Sequence, residues 1–437
     1  MTERPERQYR ARYHARWVLP VSAPPIEDGT VVVEMDRITY VGPRAGAPLA
    51  RDVELGDAVI TPGLVNTHTH LDLTVLRGLP QGLTFFDWIR GLVAARDRLT
   101  PGEQLDSARL GVREGLQAGI TTYADTAPSD APLGAMLELG VRGIAYREVF
   151  GPDPAKCEAA LSELRRNVAA MRARETRFVG VGVSPHAPYS VSDALYRAVA
   201  DFARAQQLPL ATHIAESADE SRLVGGGEGP FAEFLRGRGI SVSPRARTPV
   251  ALLKECDVLG RNALLIHCVR ADAEDIATIA GTGCGVATCP VSNRFFAHGA
   301  APVGDLLAAG VRVGVGTDSM ASNDRMDVWH ESLLAAGFAL AGGVAPGHGD
   351  HRGALELATL GGARALGLDD RIGSLEAGKQ ADIAVFPLPR SHTPRPADRD
   401  ARAAGAPIMP AVLVLVAGRE LVRGGRLANW RPPPPFH

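Results

Sequence analysis

From about residue 58 to about residue 367 the chain alternates short apolar runs with longer amphipathic stretches. Eight apolar runs stand out, at residues 58–65, 119–125, 141–149, 178–184, 209–212, 263–267, 285–289 and 311–317. Between them, segments such as 193–206 and 272–280 repeat their apolar positions at helical spacing, and each is about the length of a crossover helix. Strand followed by helix, eight times over, predicts a closed (β/α)8 TIM barrel of the α/β class, a fold whose chemistry gathers at the C-terminal ends of the strands. An open doubly wound sheet is the runner-up, and the absence of G-x-G-x-x-G after the first run counts against it.

The pattern changes at both flanks. Residues 11–58 alternate apolar and polar positions in short runs such as 30–34 and 37–41, and residues 382–386 and 412–419 do the same near the other end. The two ends therefore predict one small β-sandwich, with residues 1–60 and 371–437 flanking a barrel of residues 61–370. Residues 387–406, rich in Pro, Arg and Asp, read as an exposed loop, and residues 431–436 with four successive prolines as an unstructured tail.

A length of 437 residues with 45% hydrophobic content suits one large domain and a smaller one. Acidic and basic residues nearly cancel, 49 against 47, which argues against the strongly positive field that nucleic acid or an anionic membrane surface requires. No run is long and apolar enough to cross a bilayer, so a cytoplasmic location is the default expectation. The five cysteines, Cys157, Cys256, Cys268, Cys284 and Cys289, are odd in number and lack C-x-x-C spacing, so they read as reduced packing residues.

Candidate chemistry begins at His68 and His70, directly after the first apolar run. Two histidines at i and i+2 of an extended segment project to one side and can reach one metal ion. Alone the pair is weak evidence. Its weight comes from groups at other strand ends, since a barrel gathers them in space: His213 after the fifth run and Asp318 after the eighth. Three imidazoles and a carboxylate suit Zn²⁺, with Fe²⁺ as the alternative, and leave a position for water. Glu216, three residues after His213, is placed to move protons, the competing role being a helix cap or surface ion pair. His267, ending the sixth run, is either a further ligand, a group orienting the attacking water, or a core histidine. Binuclear barrel hydrolases commonly bridge two metals through a carboxylated lysine at a strand end. The only lysines, Lys156, Lys254 and Lys379, lie at none, so one metal is expected.

Several segments together resemble the deaminase and chlorohydrolase branch of the amidohydrolase superfamily. They are Pro62-Gly63-Leu64-Val65-Asn66-Thr67-His68-Thr69-His70, Ser184-Pro185-His186-Ala187-Pro188-Tyr189, His213-Ile214-Ala215-Glu216, His267-Cys268-Val269, Cys289-Pro290-Val291-Ser292-Asn293, Gly316-Thr317-Asp318-Ser319 and Gly373-Ser374-Leu375-Glu376-Ala377-Gly378. The resemblance implies a distorted barrel with a flanking β-sandwich, and a metal held by His68, His70, His213 and Asp318. It implies that Glu216 protonates the ring nitrogen beside the attacked carbon, that His267 supports the attacking hydroxide, and that Asp318 relays a proton to departing ammonia. Homodimers are common in that family.

A narrower similarity concerns the substrate. Residues 76–89 resemble deaminases of adenosine-type nucleosides such as S-adenosylhomocysteine, methylthioadenosine and aminodeoxyfutalosine. It implies that Trp88 and His186 contact the nucleoside and that Arg147 meets a distal carboxylate. Adenosylhomocysteine-type enzymes carry an acid shortly after the tryptophan to hold the ribose hydroxyls, and this chain has Arg96 near that place. Residues 215–220 and 229–235 look more like aminodeoxyfutalosine deaminases of the alternative menaquinone pathway, whose substrate carries a benzoate. Ring-amide hydrolysis of the imidazolonepropionase kind, triazine dechlorination and a silent scaffold are the rival readings.

Overall fold

The computed structural model describes residues 10–79, 82–341, 349–388 and 409–428. The expected loop at 387–406 and the tail at 431–436 lie almost wholly outside these residues. Eight parallel strands form the barrel: Leu64–His70, Ile120–Ala127, Arg142–Val149, Val179–Pro185, Leu210–Ile214, Ala263–His267, Gly285–Thr288 and Arg312–Val315. The eighth resumes at Asp318–Ser319, where Asp318 pairs with Thr69 and Ser319 with His70, closing the ring onto the first strand. Asn66 fastens this seam from both sides. Its amide donates to Thr317 Oγ1 at 2.8 Å and its carbonyl oxygen accepts from Thr317 N–H at 3.1 Å. Gly316 is required beside it, because a Cβ there would sit 2.6 Å from the His68 carbonyl oxygen.

The barrel interior is filled by Ala124, Ile144, Tyr146, Ala211, Leu264, Ile266, Ala287 and Cys289, while alternate residues of the same strands pack outward against the helices. The helix Asp193–Gln206 shows why these segments form. Ser192 Oγ caps it by accepting Leu195 N–H, and Leu195, Tyr196, Val199, Ala200 and Ala203 form one buried stripe. Four of the five cysteines are buried, Cys157 is half-buried, and all are free thiols. Among the described residues no helix is long and apolar enough to cross a membrane.

The first apolar run divides in two, which corrects its reading as one barrel strand. Ala58–Pro62 pairs antiparallel with Ile383–Pro387 in a second sheet, and only from Leu64 does the chain enter the barrel. Gly63 is the crossing point, where a Cβ would lie 2.2 Å from Thr121 Oγ1. Likewise 412–419 is not one run but parts of a hairpin, Leu413–Val416 and Arg419–Arg423, turned at Ala417 and Gly418. The second sheet has nine strands drawn from both ends of the chain and encloses its own core of residues such as Tyr13, Val31, Ile60, Ile383 and Leu415.

A buried ion pair joins the two sheets. Arg142 of the third barrel strand donates through Nε to Asp382 Oδ2 at 2.7 Å and through Nη2 to Oδ1 at 3.1 Å, with both side chains almost fully buried. Asp382 Oδ1 also accepts Ala417 N–H at 2.7 Å, fixing the hairpin turn. Removing one partner leaves a buried charge, so Asp382→Asn is expected to destabilise the protein by about 3–5 kcal/mol. Chemical denaturation measures this, and a loss under about 1 kcal/mol would contradict the assignment.

Candidate active site

Strand alternation sends His68 and His70 to the same face at the top of the barrel. His213 arrives from the fifth strand and Asp318 from the eighth. His70 Nε2 and His213 Nε2 are 3.3 Å apart, and Asp318 Oδ1 lies 3.3 Å from His68 Nε2 and 3.6 Å from His70 Nε2. The four predicted groups thus converge. Asp318 is steadied by Ser292 Oγ–H at 2.6 Å on Oδ2 and by Ser319 N–H at 2.7 Å on Oδ1. His213 donates Nδ1–H to the His186 carbonyl at 3.2 Å, which leaves Nε2 as the free lone pair.

These residues fit a divalent cation. His68 is fully buried, yet neither of its ring nitrogens has a hydrogen-bond partner, an arrangement that makes sense when one nitrogen ligates an ion. Donor atoms of His68, His70 and Asp318 all lie within 4.8 Å of one another, as do those of His68, His213 and His267. Burial lowers His68 to about 4 and His213 well below the usual imidazole range, so both are neutral, the form that binds metal.

Glu216 lies just past the fifth strand, almost fully buried. It is not the cap of the next helix. Ser217 fills that role, accepting Glu220 N–H at 3.2 Å. Ser217 and Glu220 carry the S-x-x-E spacing of a capping box, in which the glutamate normally reaches the cap residue's own amide. Here its two oxygens reach further back, accepting Ala215 N–H and Glu216 N–H at 2.8 Å each. This clamp holds Ala215 at φ +50°, a left-handed turn that aims Glu216 into the site. Burial, then the charges of Asp318 and Glu220, push the Glu216 carboxyl well above its ordinary range, favouring the protonated form.

Two imidazoles face the same Glu216 oxygen. His267 Nε2 is 3.6 Å from Oε1, and His298 Nε2 is 3.8 Å from it. His267 donates Nδ1–H to Asn293 Oδ1 at 3.0 Å, so its orientation is set from behind. Neighbouring Leu264 and Ile266 fill the barrel interior and its outer shell packs Leu265, while φ +74° at His267 re-aims that side chain toward the mouth. Sequence reasoning passed over His298 and Glu220. Only the capping-box spacing offered a signal for the latter, and nothing in the sequence marked the former.

Above this floor opens a cavity of about 530 Å³ walled by aromatic side chains. Trp88 lines it, packs edge-on against Phe296 with centroids 4.7 Å apart, and leaves its indole N–H unpartnered. His186 lines it as well, with burial first lowering its imidazole to about 3. Arg96 lines the cavity and pairs with Asp97 at 2.8 Å.

Arg147, expected to meet a substrate carboxylate, is not among the cavity-lining residues. On the third strand Ile144 and Tyr146 face the barrel interior and Ala145 and Val149 face outward, so alternation turns Arg147 outward and Glu148 inward. Glu148 is the residue that reasoning missed. It is buried, lines the cavity, leaves Oε1 without a partner, and is pushed to about 7 chiefly by burial. Periodicity along residues 141–149 carried that signal.

Comparison with known proteins identifies the family. Residues 59–419 match the amidohydrolase family. The chain is 35% identical, over 88% of its length and 87% of the relative's, to a 5-methylthioadenosine/S-adenosylhomocysteine deaminase of Moorella thermoacetica. Its fold is similar to the crystal structure of an adenosine deaminase from Xanthomonas campestris with bound zinc, at a TM-score of 0.81 and 28% identity, covering 96% of this chain and 94% of that one. It also resembles in fold the aminofutalosine deaminase of Helicobacter pylori in complex with methylthio-coformycin, at a TM-score of 0.77, 20% identity and coverage of 94% and 100%.

Proposed function

The chain belongs to the amidohydrolase family, and from that premise we propose that it is a metal-dependent aminohydrolase of 6-aminopurine nucleosides, replacing the exocyclic amino group by oxygen and releasing ammonia. The observation that carries this reading is the convergence of His68, His70, His213 and Asp318 beside a buried Glu216 at the floor of a nucleoside-sized cavity. Those four would hold a divalent ion, Zn²⁺ before Fe²⁺, which would acidify a water toward neutrality.

The chain's own groups do the rest. Glu216 keeps a proton in reserve and hands it to the ring nitrogen beside the attacked carbon, which makes that carbon electrophilic. His267, anchored by Asn293, holds the attacking oxygen on line. Asp318 takes a proton from the attacking water and passes it to the amino group as the C–N bond breaks, and the remaining hydroxyl proton returns to Glu216, so ammonia departs and the ring becomes a lactam. Trp88 and His186 bear on the base and sugar. A screen of the zinc-loaded protein against adenosine, methylthioadenosine, S-adenosylhomocysteine and aminodeoxyfutalosine, read by ultraviolet absorbance and ammonia release, tests the reading. Absence of ammonia from all four would sink it.

Aminodeoxyfutalosine is a second reading, favoured by two cavity arginines. Arg90 lies over the Phe86 ring at 5.8 Å and Arg238 over the Phe234 ring at 5.6 Å, and among the described residues neither forms an ion pair. They suit an aryl carboxylate better than Arg96, which Asp97 occupies. In the same screen this substrate should then outrank methylthioadenosine.

The Glu220 clamp gives a separate expectation. Glu220→Gln puts an amide NH₂ against a backbone N–H, opens the turn at Ala215 and displaces Glu216. A shift of this kind, near 1 Å, costs about 100-fold in turnover. KM and metal content should stay close to wild type, and unchanged kcat would count against the clamp.

A further inference from the structure

Several buried polar atoms around the site have no hydrogen-bond partner, and of these Trp88 Nε1 and Glu148 Oε1 belong to side chains that line the cavity. Glu148 is the acceptor of the two. Its Oε1 has no partner although the residue is only 7% exposed. A donor atom of Glu148 lies within 4.8 Å of nitrogens of His70 and His213, but none does so jointly with His68 or Asp318. A fifth ligand would approach the centre of the set, whereas Glu148 stands to one side of it, in the cavity wall. An unpaired buried carboxylate is costly unless something arrives to satisfy it.

The neighbouring strand supplies a second acceptor. Glu148 pairs in register with Ser184, and His186 N–H donates to the Val149 carbonyl at 3.3 Å, so the two side chains sit at adjacent strand ends. Ser190 Oγ–H donates to the Ala187 carbonyl at 3.1 Å, and the same oxygen lies 2.7 Å from His186 Nδ1. We take the tautomer in which the hydroxyl proton serves Ala187 and Nδ1–H donates to Ser190 Oγ, which leaves His186 Nε2 as a lone pair.

We propose that Glu148 and His186 form a two-acceptor subsite for the vicinal hydroxyls of the substrate's sugar, with Glu148 determining selectivity for ribosides over deoxyribosides. The inference rests on the reading of the cavity as a nucleoside site. Two acceptors at neighbouring strand ends suit a pair of hydroxyls, which a ribose diol presents and a deoxyribose does not. Arginine at position 96 fits this division of labour, because a guanidinium cannot accept a hydroxyl proton. Glu148 and His186, both close enough to feel the Arg96 charge, take over the task.

The zinc-loaded full-length protein and Glu148→Gln are compared on adenosine, 2′-deoxyadenosine and 3′-deoxyadenosine. The wild type is expected to favour adenosine by about ten- to a hundredfold in kcat/KM, the range for a hydrogen bond to a charged acceptor. In Glu148→Gln the ratio for the hydroxyl that Glu148 holds should collapse toward unity, while the other, held by His186, persists, with zinc content unchanged. Equal turnover of all three by the wild type overturns the proposal, as does a variant that keeps both wild-type ratios. Loss of zinc from the variant overturns it too, by assigning Glu148 to the metal. Calorimetric binding of inosine against 2′-deoxyinosine to the wild type stands apart from catalysis. If no nucleoside is deaminated, the functional reading fails, while a tenfold preference for inosine still supports the diol subsite and equal binding removes it.

Discussion

Glu216→Gln is expected to lower kcat by about 10²- to 10⁴-fold while leaving the metal in place. Glutamine keeps the volume and the clamp from Glu220, since Ala215 N–H and Glu216 N–H are backbone donors untouched by the change. What it removes is the exchangeable proton. Burial and the charges of Asp318 and Glu220 hold that proton on the carboxyl, and an amide can neither release nor retake it at neutral pH. Because the side chain is absent from the converging ligand set, bound metal per chain should equal that of the wild type. Stopped-flow turnover beside metal analysis separates the two. A variant retaining more than about a tenth of wild-type kcat would assign proton transfer elsewhere, with His267 next in line.

Removing the ion is expected to abolish turnover and to lower the melting temperature together. His68 is the reason for the second effect: without an ion both of its nitrogens are buried without a hydrogen bond, and the Asp318 carboxylate stands 3.3 Å from one of them. An ion at a hundred times its dissociation constant adds about 2.7 kcal/mol to the folded state, which corresponds to roughly 3 °C in a chain of this size. Chelation followed by calorimetry, then by restoration with zinc, should reverse both losses. His68→Ala should keep neither response. Full activity in a thoroughly stripped sample would refute the metal reading.

Much of the barrel was legible because parallel strands buried on both faces read as continuous apolar runs. Seven of eight runs fall within a few residues of the observed strands, and the helix predicted at residues 193–206 coincides with Asp193–Gln206. The first run misled because its apolar character continues across Gly63, where the chain changes sheets. Composition cannot register that transfer. It depends on Thr121 crowding the position from a neighbouring strand.

The ligand candidates could be placed because strand ends are defined by topology, however far apart they lie in sequence. His68, His70, His213 and Asp318 meet, and Glu216 and His267 join them. Likeness of segment points to Arg147, whereas the two-residue alternation that sends Tyr146 inward points to Glu148. His298 reaches Glu216 through a loop packed on Phe85 and Phe296. Loop geometry of that sort has no periodicity to read.

The sheet assembled from both ends of the chain also sets a timetable. Ala58–Pro62 leaves the ribosome early, but Ile383–Pro387, its antiparallel partner, emerges more than 300 residues later. At about 5–20 residues per second that is an interval on the order of 15 to 60 seconds. Until Asp382 arrives, Arg142 in the third strand has no counter-ion and the edge at Ala58–Pro62 stays unpaired. The nascent protein must therefore spend its synthesis with a nearly complete barrel and an open apolar seam, the state in which a cell's chaperones would meet it.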